Sequence, residues 1–115
     1  MASFVIAEEV WKKTDAADLT IALAGHGDVL LELGRAKEAL ETTDRAVAVC
    51  ERQACEPIDE GLARFLHARA MRASKSSERE VVAEAKKALS LLLPLGEGAG
   101  EQVEQLNEFM TPQGL

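Results

Sequence analysis

Two histidines, two cysteines and a run of arginines carry whatever chemistry this 115-residue chain can do. His26 and His67 stand 41 residues apart. Such a pair could ligate a metal or sense pH. No Cys, Asp or further His accompanies them at metal-ligand spacing, so the plainer reading is two histidines at the edge of a core, each held by one hydrogen bond. Cys50 and Cys55 could close a short-loop disulfide. Cysteine is also a good small core residue, and Cys50 shares an apolar face with Ala46, so both are expected to be free thiols. Gly25-His26-Gly27-Asp28 has the glycines of a phosphate loop but neither the preceding strand nor the following GK[ST]. No nucleophile, base and orienting group come with supporting spacing, and Ser74, Ser76 and Ser77 read as turn and cap residues. Charge is what remains. Arg64, Arg69 and Arg72 lie in one stretch, and Arg69 and Arg72, three apart, share a helical face. The alternative for them is a solvated basic face paired with glutamates of neighbouring helices.

Helices must position these groups. Leu23, His26, Leu30 and Leu33 recur at helical spacing, and Gly34 follows where a helix stop needs positive φ. A second helix puts Ala39, Thr43, Ala46 and Cys50 on one face, with Leu40 and Val47 beside it. Glu56-Pro57 is a connection, and Pro57 is placed to open a helix running to about Ala73. Ser74–Ser77 form a turn. Ser77 with Glu80 makes a capping box, so the next helix starts at Glu78 and runs toward Pro94. Gly96–Gly100 reads as a flexible loop, followed by an amphipathic helix over Glu101–Met110 with Val103, Leu106 and Met110 on one side. At the other end, Ser3 can cap a short helix over 4–13 carrying Phe4, Ala7 and Trp11, with a break near Thr14–Asp15.

Apolar residues make up 47% of the chain and aromatics 3%. Ala and Leu dominate and no stretch alternates like a half-buried strand, so helix packs on helix. The net charge of −7 argues against a general nucleic-acid or anionic-membrane binder. Residues 62–95 nevertheless hold seven Lys/Arg against three Glu, a positive island between acidic flanks. The absence of a basic-then-apolar start and of any long apolar run makes a cytoplasmic location the expectation.

Small residues at Gly27, Ala39 and Ala46, the Gly34 turn and the pairs Glu38-Ala39 and Arg45-Ala46 together resemble a tetratricopeptide repeat. His26-Gly27 and Leu30 match His67-Ala68 and Met71 at an offset of 41, longer than the 34 residues typical of that family. Ala46-Val47 matches Ala88-Leu89 after one extra residue. The second copy departs from the pattern: it lacks the turn glycine and holds Val81 where the family prefers Ala. It is similar to the degenerate repeats of bacterial signalling scaffolds and Ser/Thr protein kinases. The resemblance implies an all-α, short right-handed solenoid: an N-terminal flanking helix in 1–17, repeat 1 over 18–53, repeat 2 over 57–95 and a C-terminal capping helix over 101–110. It also implies a concave groove on the first helix of each pair. The family pattern turns Arg69 and Arg72 to that groove beside Phe65, with Asp28, Leu31 and Ala24 at the matching places. The family's Lys/Asn clamp for a peptide carboxylate is missing.

The expectation is therefore a non-catalytic, cofactor-free protein-interaction module that takes an acidic or amphipathic peptide or helix on Phe65, Arg69, Arg72, Asp28 and Leu31. Self-association through an exposed solenoid end is the alternative. A metal or enzymatic site built on His26 and His67 comes third.

Overall fold

Alanine-rich amphipathic segments punctuated by two tight turns give an all-helical chain. The structure, a computed structural model, describes residues 16–111. The expected helix over 4–13 and the break at Thr14–Asp15 lie outside them. Among the described residues are α1 (Ala16–Glu32), α2 (Ala36–Arg52), α3 (Pro57–Ala73), α4 (Glu78–Leu92), a 3-10 segment (Leu93–Ala99) and α5 (Gly100–Met110). No helix among them is long and apolar enough to cross a membrane.

Both hairpin turns close in the same way. At the end of α1, Gly34 takes φ 77°. Its N–H bonds Leu31 O at 3.1 Å, and Arg35 N–H bonds Leu30 O at 2.9 Å. That pair of bonds is a Schellman stop. At the end of α3, Lys75 takes φ 65°, with Lys75 N–H on Arg72 O at 3.0 Å and Ser76 N–H on Met71 O at 2.9 Å. Lys75 stands 41 residues after Gly34, so the second turn keeps the geometry of the first without its glycine. Ser77 then caps α4, accepting from Glu80 N–H at 3.3 Å. Leu33, read as the last apolar residue of the α1 face, falls in the turn beyond the helix and is 61% exposed.

Short turns make α1–α2 and α3–α4 two helical hairpins. Besides these pairings, α3 packs against both α1 and α2. Close approach is allowed by missing side-chain bulk. Ala39, Ala46, Ala63, Ala68, Ala70, Ala85 and Ala88 are fully buried. A Cβ on Gly27 would overlap the Thr43 methyl, and one on Gly61 would lie 2.6 Å from Leu92 Cγ and Cδ2. Leu23, Leu30, Leu92 and Leu106 are the largest of the fully buried side chains, each stabilising by about 1.5–3 kcal/mol.

The expected loop before the last helix is ordered. Leu93–Ala99 winds as a 3-10 segment broken at Gly96 (φ 62°, ψ −131°), and Ala99 is buried with Leu92 and Leu106. That apolar anchor fixes a stretch that Gly96 and Gly98 alone would leave loose. The segment returns α5 onto the second hairpin. Leu106 is buried there, and Val103, Phe109 and Met110 pack against the Phe65–Leu92 cluster.

Candidate functional site

The five residues expected to form a binding groove separate into two groups. Phe65 is 8% exposed and meets Phe109 of α5 edge to face, with ring centroids 5.7 Å apart. It is a core residue and does not line an open groove. Arg72 lies over the Phe109 ring at 3.9 Å and donates from Nη1 to Phe109 O at 2.7 Å. It also grips Glu78 through two 2.9 Å bonds. Its guanidinium therefore holds the end of α5, where orphan carbonyls favour a cation. Leu31 packs against the Leu30–Ala39–Ala70 cluster. Only Asp28 and Arg69 meet on the surface: Arg69 Nη1 donates to Asp28 Oδ1 at 3.4 Å, and the side chains are 46% and 40% exposed. The two occupy the same register 41 residues apart.

Beside that ion pair runs an apolar groove that the sequence reading missed. Ile21, Ala24 and Gly25 of α1 and Asp59, Leu62 and Leu66 of α3 enclose about 210 Å³. On α1, positions 21, 24, 25 and 28 form one face; on α3, positions 59, 62, 66 and 69 form the facing one. The 41-residue offset pairs Ile21 with Leu62, Gly25 with Leu66 and Asp28 with Arg69. The floor is built by the α1–α3 packing, with Leu23 and Ala63 in one buried cluster behind it. Ile21 stays 52% exposed. Phe65 and Arg72 belong to a stripe roughly 60–100° further round α3, the side taken by α5. Applying the offset to Ile21 and Leu62 was the signal that could have found the groove.

A second constellation lies between the helices of the second hairpin. Glu84 of α4 is buried. It accepts from Arg64 Nη1 at 3.1 Å and from His67 Nδ1 at 2.7 Å. Arg64 Nε also donates to Glu60 at 2.9 Å, and His67 Nε2 stands 3.6 Å from Asp44 of α2. Burial acts to raise the Glu84 carboxyl, but the His67 hydrogen bond and the nearby charges of His67, Arg64 and Lys87 prevail and hold it below the ordinary carboxylate value. Burial likewise acts to lower Arg64, and its bond to Glu60 with the charges of Glu84 and Glu60 raises it instead. Glu60 and Glu84 are both held by Arg64, which suits fixing helix pairing. His67 is thus tied into a structural network.

Cys50 and Cys55 form a disulfide, with Cα atoms 5.3 Å apart, against the expectation of free thiols. Cys50 ends the buried face of α2 and Cys55 turns back from the connection, so the short loop delivers the two sulfurs to one spot. Thr20 of α1 touches both, its Oγ1 3.5 Å from Cys50 Sγ and 3.7 Å from Cys55 Sγ. Among the described residues no three His, Cys, Asp or Glu side chains are grouped to hold a metal ion. Compared with known proteins, the chain matches no family model, no curated protein and no solved structure.

Proposed function

We propose that this chain is a short tetratricopeptide-like module that binds a peptide or helix non-catalytically in the groove between α1 and α3. The observation that carries the reading is the apolar groove itself, built in part from equivalent positions of the first helix in each hairpin (Ile21 with Leu62, Gly25 with Leu66) and left open beside Ile21. Its pattern of packing supports the repeat arrangement: each hairpin pairs internally, and α3 leans on both helices of the first hairpin. At about 210 Å³ the groove is below the roughly 300–1,000 Å³ of small-molecule sites. It fits one or two apolar side chains of a partner, the anchors of an amphipathic peptide. Arg69 and Arg72 are held by Asp28 and by Glu78 with Phe109, so apolar contact leads and the Asp28–Arg69 pair sets polarity at one end.

Selection of a displayed library of random 12-residue peptides on the wild-type chain, followed by titration of the recovered peptide, tests this. Peptides with apolar residues three or four apart are expected, and Ile21→Glu or Leu66→Glu should weaken binding at least about tenfold, as burying an unpaired charge does. Equal binding by both variants, with unchanged helicity, would place the site elsewhere.

A second reading, self-association, rests on Val29, Leu33, Leu93 and Leu95, large apolar side chains that stay exposed. Sedimentation across a concentration range checks it: a mass that grows with concentration and falls on Leu33→Glu is the expected result.

A further inference from the structure

The disulfide touches Thr20, the residue before the groove-lining Ile21. Cys50 closes the last turn of α2 and is buried; Cys55 lies in the connection to α3 and is partly exposed. Cys55 packs against the cluster of Leu23, Ala46, Val47, Val49 and Ala63, whose Leu23 and Ala63 adjoin the groove-lining Ala24 and Leu62 in sequence. Thr20, fully buried against both sulfurs, immediately precedes Ile21. Pro57 opens α3 two residues after Cys55, and Asp59 of its first turn lines the groove. One covalent bond therefore reaches three elements: α1 through Thr20, α2 through Cys50 and the start of α3 through Cys55.

We propose that Cys50 and Cys55 are a reversible redox couple that controls the groove, being closed and binding-competent as the disulfide and loosened as the dithiol. The proposal rests on the groove being the binding site. The reductant is a dithiol. Its thiolate attacks the Sγ of Cys55, the more exposed of the two residues, forming a mixed disulfide and expelling the Cys50 thiolate, which takes a proton. The reductant's second thiol, as thiolate, then displaces Cys55, which is protonated in turn, and the reductant closes its own disulfide. Two electrons and two protons pass to the protein. Two thiols can no longer share a bonded distance in a packed cluster, so one must move. Cys55 is the one free to move, because Cys50 is fixed in a helix facing the core. Its displacement carries residues 53–56 and the first turn of α3 away from Thr20, and the groove loses its preorganised end.

The test compares oxidised protein with protein reduced by dithiothreitol, the two states verified by thiol count. Methyl NMR reads Ile21, Leu62 and Leu66 without any ligand. Large shifts at Ile21 and Leu62, with helicity retained and reversal on reoxidation, are expected. Cys55→Ser should show the reduced pattern and no response to dithiothreitol. The 12-residue peptide recovered on the oxidised chain should bind the reduced chain at least about fivefold more weakly. Identical methyl spectra in the two states would overturn the proposal, as would global unfolding of both the reduced protein and Cys55→Ser, since the bond would then be a structural staple. Should no peptide be recovered, redox-dependent methyl shifts still support control of the groove's shape, while the binding reading alone fails.

Discussion

Replacing Glu84 by glutamine tests whether the buried network holds the second hairpin together. The wild-type carboxylate receives two charge-assisted hydrogen bonds, from Arg64 at 3.1 Å and His67 at 2.7 Å. Each such bond contributes about 1.5–3 kcal/mol. Glutamine keeps one acceptor oxygen and the same shape, and Arg64 keeps Glu60, so the loss falls short of the full sum, at about 2–3 kcal/mol at pH 7. The pH dependence follows from the depressed Glu84 value. A carboxyl lowered in the folded chain stabilises it above its unfolded value of about 4.3. That contribution is lost as pH falls from there through the folded value. The gap between wild type and Glu84→Gln should therefore be full at pH 7, and shrink progressively in acid. Urea unfolding monitored by far-UV circular dichroism at pH 7, 5 and 3 measures it. A gap below about 0.5 kcal/mol at pH 7, within the range of ordinary surface substitutions, would refute the assignment. So would a gap that does not change with pH.

Three further changes probe the frame. Lys75→Gly should stabilise by about 0.5–1 kcal/mol, because Lys75 sits at φ 65° where only glycine is unstrained; a lower urea midpoint would contradict the shared turn geometry. Gly27→Leu should destabilise by about 1–3 kcal/mol or more, since its first carbon already overlaps the Thr43 methyl, and unchanged stability would show that α1 and α2 do not cross there. Leu106→Ala should cost about 2–5 kcal/mol and release α5, read as rapid amide exchange over 100–110 with slow exchange retained in α1 and α2.

The helices were legible because their signals are local. Pro57 at a first turn, Ser77 with Glu80 three residues on, and Gly34 after an apolar run each act within a few residues, and the observed α3 and α4 begin where those residues sit. Lys75 was not legible as a left-handed turn residue, because nothing in a lysine side chain asks for positive φ; the helix on each side imposes it. The disulfide departs from the free-thiol expectation because a cysteine at a buried helical position carries the same sequence pattern whether bonded or free. The 3-10 segment was hidden by its glycines, which the burial of Ala99 overrides.

The groove shows where local reading stops. On α3 two adjacent stripes compete for the name of open face, one through Leu62 and Leu66 and one through Phe65 and Arg72. Both carry apolar area and an arginine, so periodicity on α3 alone cannot choose between them. The choice is made by α5, some forty residues downstream, whose Phe109 offers Phe65 a ring and Arg72 a carbonyl. Once that stripe is covered, Leu62 and Leu66 are left facing Ile21. The positive island of residues 62–95 undergoes the same reassignment. Arg64 goes to Glu60 and Glu84, Arg69 to Asp28 and Arg72 to Glu78, so the three arginines of α3 are all held in ion pairs within the chain. On the proposed binding reading, a ligand at this face would be recognised first by what it buries against Ile21, Leu62 and Leu66, and only then by charge. The salt dependence of binding should accordingly be shallow. A steep fall in affinity of the recovered peptide between 50 and 500 mM salt would return the arginines to the centre of the account.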